Sequence, residues 1–155
     1  RFRNEEFFKK IYGKNRQEIE KNLVKIKWLE KSQNKTLWVT KINGIDKKLE
    51  KISSELENLP NEFKKYIVNP DGVYNFRKIS GTNRLSTHSF AIAIDLNKEY
   101  SNYWLWDKKG NNIEYKNKIP LEIVKIFEKY GFIWGGRWYH YDTMHFEYRP
   151  ELLLD

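Results

Sequence analysis

A chain of 155 residues is long enough for one domain with its own core and too short for two of ordinary size. Its 39% apolar and 16% aromatic content excludes a disordered chain, and no apolar run approaches the ~20 residues of a membrane span. With no cysteine there is no disulfide framework, thiolate metal site or Cys nucleophile, and the net charge of +8 raises the question of an anionic partner. That charge is unevenly distributed. Residues 1–65 carry 17 Lys/Arg against 10 Asp/Glu, whereas residues 66–155 carry 12 against 11. Lys outnumbers Arg 22 to 7. Specific nucleic-acid readers lean on Arg for bidentate contacts to guanine, so a solvated lysine-rich face explains the excess better than a specific nucleic-acid site.

In chain order, Phe7, Phe8, Ile11 and Tyr12 form an apolar cluster ending at Gly13, which predicts a short helix with a glycine cap. Ile19, Leu23 and Ile26, with Leu29 close to the same stripe, predict a second helix. Thr36–Ile42 reads as a strand that ends in the turn pair Asn43-Gly44. Leu49, Ile52, Leu56 and Leu59 predict a third helix, opened by Asp46 as N-cap and closed at Pro60. Beyond the turn Asn69-Pro70-Asp71-Gly72, Val73–Ile79 and Ala91–Leu96 read as strands. The aromatic stretch Tyr103–Trp106 is expected to cover the sheet. A last helix starts near Pro120 and runs through Ile123, Phe127 and Tyr130 to Gly131, followed by closing strands at Phe132–Trp134 and Met144–Glu147. Helices first and strands later predict an α+β fold with a small, mostly antiparallel sheet and flanking helices. The expected division is a basic, helical N-terminal part (1–65), packed on or leading into a core of residues 66–155.

Chemistry concentrates around two of the three histidines. His88 lies in Ser86-Thr87-His88-Ser89-Phe90-Ala91-Ile92-Ala93-Ile94-Asp95, and His145 in Asp142-Thr143-Met144-His145-Phe146-Glu147. His88, Asp95 and His145 make a two-His, one-carboxylate set, the kind that holds catalytic zinc and leaves a fourth position for water. Asp142 is then a spare carboxylate suited to general-base work. Geometry sets a condition: on one straight strand His88 and Asp95 would face opposite ways, roughly 23 Å apart. They meet only if the chain bends sharply between them, as a bend at Ser89–Ala91 would allow, and Asp142 and His145 likewise need a turn. A scaffold explains the same residues, with His88 in a loop, Asp95 capping a strand and His145 satisfied in the core. On composition and spacing alone that reading stands slightly ahead.

The first of these segments resembles the Ser-x-His-x-x-Gly-x-Ala-x-Asp signature of the zinc D-alanyl-D-alanine carboxypeptidase family, which includes vancomycin-resistance dipeptidases and phage L-alanyl-D-glutamate endolysins. Gly131-Phe132-Ile133-Trp134-Gly135-Gly136-Arg137-Trp138, followed by Asp142-Thr143-Met144-His145-Phe146-Glu147, is similar to the endopeptidase branch in particular. Asn75-Phe76-Arg77 and Gly81-Thr82-Asn83-Arg84-Leu85 resemble the family's lead-in, so the likeness covers about residues 70–150.

The resemblance implies the D-Ala-D-Ala peptidase and hedgehog-like zinc fold, with one zinc ion on His88, Asp95 and His145. It also implies Asp142 as general base, Arg77 steadying the oxyanion and Ser86 lining the substrate pocket. Ala91 departs from the family's glycine, which implies either an ordinary φ there or strain at the bend.

Several further residues are candidates. His140 is expected at the rim, where it could bind substrate or replace His145 as ligand. Trp134, Trp138 and Phe146 read as core before a ligand platform, although Trp138 could wall the cleft. Arg84 could touch substrate or cap a strand, and Glu147 could orient a ligand or act as a rival base, an orienting or simply structural role being favoured.

The implied activity is hydrolysis of a peptidoglycan stem-peptide bond, L-Ala-D-Glu before a D,D- or L,D-carboxypeptidase cut. The alternative from another class is a non-hydrolytic, zinc-containing cell-wall binding module. The implied location is periplasmic or extracellular. The basic N-terminal part is a candidate attachment surface for anionic wall polymer or membrane, and no specific nucleic-acid partner is expected. The chain opens at Arg1 without a visible leader, which a removed leader or a shortened chain would explain.

Overall fold

The computed structural model describes residues 5–154, so Arg1–Asn4 and Asp155, with the charges that Arg1, Arg3 and Asp155 contribute, lie outside the described residues. Helix α1 (Glu5–Tyr12) buries Phe8 and Tyr12 and stops at Gly13. Helix α2 (Arg16–Lys21) is capped by Asn15, whose side chain accepts from the Glu18 N–H.

The expected second helix does not continue past this point. Asn22 ends α2, and Leu23–Trp28 is strand β1, paired antiparallel with β2 (Lys35–Thr40). The reason is in the side chains: Ile26 and Trp28 are buried while Lys25 and Lys27 are exposed, a period of two that satisfies a hairpin. Asn43 and Gly44, both left-handed, lead into α3 (Ile45–Glu57) rather than turning a hairpin. Gly44 occupies the N-cap position there, and Asp46 lies within the first turn.

Val73–Ile79 also departs from expectation and is not a strand. Its backbone makes one isolated bridge, Lys78 with Leu85, and Gly72 just before it bridges Asp95. The N–H groups of Asn75 and Arg77 instead donate to the His88 carbonyl and the Ser89 hydroxyl. The aromatic stretch departs as well. A one-turn helix α5 (Trp104–Asp107), which follows the short α4 (Lys64–Ile67), leaves Leu105 and Trp106 more than half exposed, so it does not cover the sheet.

The second sheet has the order β3-β5-β4, all antiparallel, from β3 (Ala93–Asp95), β5 (His145–Tyr148) and β4 (Phe132–Trp134). Helix α6 (Leu121–Lys129) precedes β4, and its Phe127 stacks on Phe146 of the central strand at 3.9 Å between centroids. A single hydrophobic core runs from Phe8 through Trp28, Leu49 and Ile94 to Phe146. The architecture is α+β with small antiparallel sheets. No helix among the described residues is long and apolar enough to cross a membrane.

Candidate metal centre and active site

The register of the central sheet places Asp95 directly opposite His145. Facing residues of an antiparallel pair project to the same side, so these two side chains meet without help from any loop. His88 reaches them by the bend that the spacing required. Thr87–Phe90 forms a 3₁₀ turn capped by Ser86, whose hydroxyl accepts from the His88 N–H, and Ala91 ends it in the left-handed region at φ 58°. The chain then reverses into β3, and His88 Nε2 comes to 3.0 Å from Asp95 Oδ2, while His145 Nδ1 lies 3.0 Å from Asp95 Oδ1. All three groups are shielded, His88 at 5% and His145 at 6% exposure.

Hydrogen bonds assign the imidazole nitrogens. His88 Nδ1 is 2.7 Å from the Val73 carbonyl, which can only accept, so Nδ1 carries the proton. In the neutral ring Nε2 then holds a lone pair, and it is buried without a hydrogen bond. A lone pair facing a carboxylate oxygen calls for a cation between them.

His145 sits between two carboxylates, Asp95 at Nδ1 and Glu147 Oε1 at 2.8 Å from Nε2. Burial alone would lower its pKa, but hydrogen bonds to Asp95 and Glu147, with their charges, push it up to about 10. Burial likewise works to raise the Asp95 pKa, and the hydrogen bond from His145, with its charge, works against it and holds the carboxyl below the usual range. One ligand atom from each of His88, Asp95 and His145 lies within 4.8 Å of the others. Two imidazole nitrogens and one carboxylate oxygen, buried and converging, fit a divalent ion of the zinc type with one position left for water.

The surroundings of this cluster are built by close backbone approach. The Gly135 carbonyl accepts from the Asp142 N–H at 3.0 Å, and a Cβ on Gly135 would lie 2.5 Å from the Asp142 carbonyl oxygen. That is the physical need for glycine at this point of the Trp-Gly-Gly run. Asp142, half-buried, opens the turn into β5, and its carbonyl accepts from the His145 N–H at 3.3 Å.

Arg77 lines a small cleft together with His88, Asp95, Asp71, Tyr74 and Asn75. The Trp138 ring is half-buried, 5.5 Å from that of His145. His140 is exposed, its ring tilted against that of Trp104 at 4.2 Å between centroids, and it lies outside the convergent set, which holds His145 instead. Arg84 is exposed in the 78–85 excursion and does not line the cleft. Trp134 and Phe146 are core.

Sequence reasoning passed over Asp71, Tyr74 and Asn75 on the cleft wall, and the Val73 carbonyl that fixes the His88 tautomer. A carbonyl has no residue signature, and the wall residues reach the site through bridges distant in sequence.

Residues 80–148, a little under half of the chain, match the family model described as D-alanyl-D-alanine carboxypeptidase. No curated protein and no solved structure matches the chain.

Proposed function

From the match of residues 80–148 to the D-alanyl-D-alanine carboxypeptidase family model, we propose that the chain is a zinc peptidase that hydrolyses a bond in the stem peptide of peptidoglycan. The observation that carries this reading is the convergence of His88, Asp95 and His145, inside the matched segment, on one buried point. Held by these three side chains, zinc would bring the pKa of water toward ~7 and polarise the scissile carbonyl.

The remaining work falls to the chain's own groups. Asp142 takes the proton of the attacking water and returns it to the leaving amine. Arg77, on the cleft wall, donates hydrogen bonds to the oxyanion as the carbonyl becomes tetrahedral, a contribution typically of ~3 kcal/mol. Trp138 walls the site beside His145. Ser86, on the strength of the family resemblance, and the exposed Arg84 and His140 are read as substrate contacts.

The bond favoured is L-Ala-D-Glu, supported by the likeness of Gly131–Trp138 and Asp142–His145 to the endopeptidase branch. The family description favours the second reading, removal of terminal D-Ala. Either substrate lies outside the cytoplasmic membrane, which makes the periplasm or the cell exterior the working compartment. We infer further that the basic excess of residues 1–65 attaches the protein to anionic wall polymer or membrane.

Digestion of purified muropeptides with the zinc-loaded protein, read by mass spectrometry, tests the activity. Release of the peptide from its L-Ala marks the endopeptidase, and loss of D-Ala alone marks the carboxypeptidase. Asp142→Ala should retain zinc and lose activity by about 10²-fold or more. A zinc-loaded wild type that cleaves no stem peptide would leave a cell-wall binding module as the function.

A further inference from the structure

We infer that Glu147, held in place by Arg149, is the positioning residue that commits His145 to binding the metal ion through Nδ1. The inference rests on the metal-site reading above and goes beyond it. On the central strand β5, His145 and Glu147 are two residues apart and share a face. Glu147 is 1% exposed, and its two oxygens are divided: Oε1 lies 2.8 Å from His145 Nε2 and Oε2 3.2 Å from Arg149 Nη1.

A carboxylate this deep is costly unless it is paired, and Arg149, itself 5% exposed, supplies the counter-charge. Arg149 is fixed in turn by donating from Nε to Glu151 Oε1 at 2.7 Å. Its guanidinium also lies over the Phe8 ring of α1, 4.9 Å from the centroid. The Thr87 hydroxyl, next to His88 in sequence, lies 3.5 Å from both Glu147 Oε1 and His145 Nε2.

The consequence follows from the shape of imidazole. Its two nitrogens point in different directions, so a carboxylate gripping Nε2–H leaves Nδ1 to face Asp95 and the ion. The same grip fixes the ring plane and makes the ring a stronger donor. Glu147 is therefore not a rival base: one oxygen is engaged by the ligand and the other by Arg149. The chain of contacts from Phe8 to His145 also gives helix α1 a bearing on the metal centre that its distance in sequence conceals.

The test reads metal binding rather than turnover. Zinc affinity is measured by competition with a chromophoric chelator for wild type, Glu147→Gln and Arg149→Met, with urea unfolding of each metal-free form as control. Glu147→Gln keeps size and shape, and both variants should lose about 10- to 100-fold in affinity. Arg149→Lys, which keeps the charge, should recover part of the loss. Nitrogen NMR of zinc-loaded wild type needs no variant and should show His145 protonated at Nε2 and metal-bound at Nδ1.

A wild type that takes up no zinc would sink the metal-site reading itself. Zinc bound through His145 Nε2 would overturn the inference while leaving that reading intact. So would unchanged affinity in folded Glu147→Gln and Arg149→Met.

Discussion

Ala91 carries the bend on which the site depends. It is fully buried and left-handed (φ 58°, ψ 36°), with its N–H donating to the His88 carbonyl at 3.1 Å. An L-residue pays roughly 1–2 kcal/mol for this conformation, which glycine does not. Ala91→Gly should nevertheless change stability by less than about 1 kcal/mol, since it also removes a buried methyl worth ~0.8 kcal/mol. Ala91→Val adds a β-branched side chain to the same backbone and should lose more than about 2 kcal/mol. Urea unfolding of the two variants checks both, and an Ala91→Val as stable as wild type would contradict the strained bend. The departure from the family's glycine was legible in the sequence. That it is strain, rather than an ordinary φ, was not, because φ at one residue depends on where the strand beyond must go.

Among the elements, the short N-terminal ones were hardest to read. Ile19, Leu23, Ile26 and Leu29 fit a helical stripe, yet Leu23–Trp28 also alternates, and over six residues the two periods coexist. The partner strand Lys35–Thr40 decides between them, and that choice is non-local. Helix α1 was legible because its apolar cluster and Gly13 agree.

Its buried face also predicts a pH response. Burial, only partly offset by the hydrogen bond from Asn43, pushes the Tyr12 pKa from 10.0 up to about 12. The folded state therefore keeps the phenol proton more tightly than the unfolded chain does. The associated stability is fully present below pH 10.0 and is lost as pH rises toward about 12. Wild type should lose stability over this range by urea unfolding, and Tyr12→Phe should lose distinctly less. Parallel curves would rule out the buried phenol as the cause.

At the scale of the molecule, charge and chemistry separate. Every residue proposed for catalysis falls in residues 66–155, where the charges nearly cancel, while the basic excess belongs to residues 1–65. On the outer face of the hairpin Lys25 and Lys27 are exposed, with Lys25 over the ring of Trp38, itself 48% exposed. If this face attaches the protein to anionic polymer, Lys25→Glu/Lys27→Glu should weaken sedimentation with purified cell walls at low salt. Turnover of a small soluble stem peptide should stay unchanged. Equal wall binding by the variant at low salt would remove the hairpin from that role.

The N-terminal part is also structural to the site. Glu5 accepts from the Leu85 N–H, Glu20 from the Tyr74 hydroxyl, and Phe8 packs on Phe90 at 5.5 Å.

The sequence by itself offered the chemistry: residue types, together with the likeness of their motifs to a zinc peptidase family, pointed to His88, Asp95 and His145 as a ligand set, and strand parity required a bend between His88 and Asp95 if they were to meet. Those are local facts, set by donor atoms and strand parity. Only the tertiary structure decided that the set converges and which nitrogens of the two histidines face inward. It alone gave His88 the Val73 carbonyl and His145 the Glu147–Arg149 pair. The positions that meet, Val73 with His88 and Phe8 with Arg149, are far apart along the chain. Strand register and one shared core bring them together, and neither is written in any short stretch of sequence.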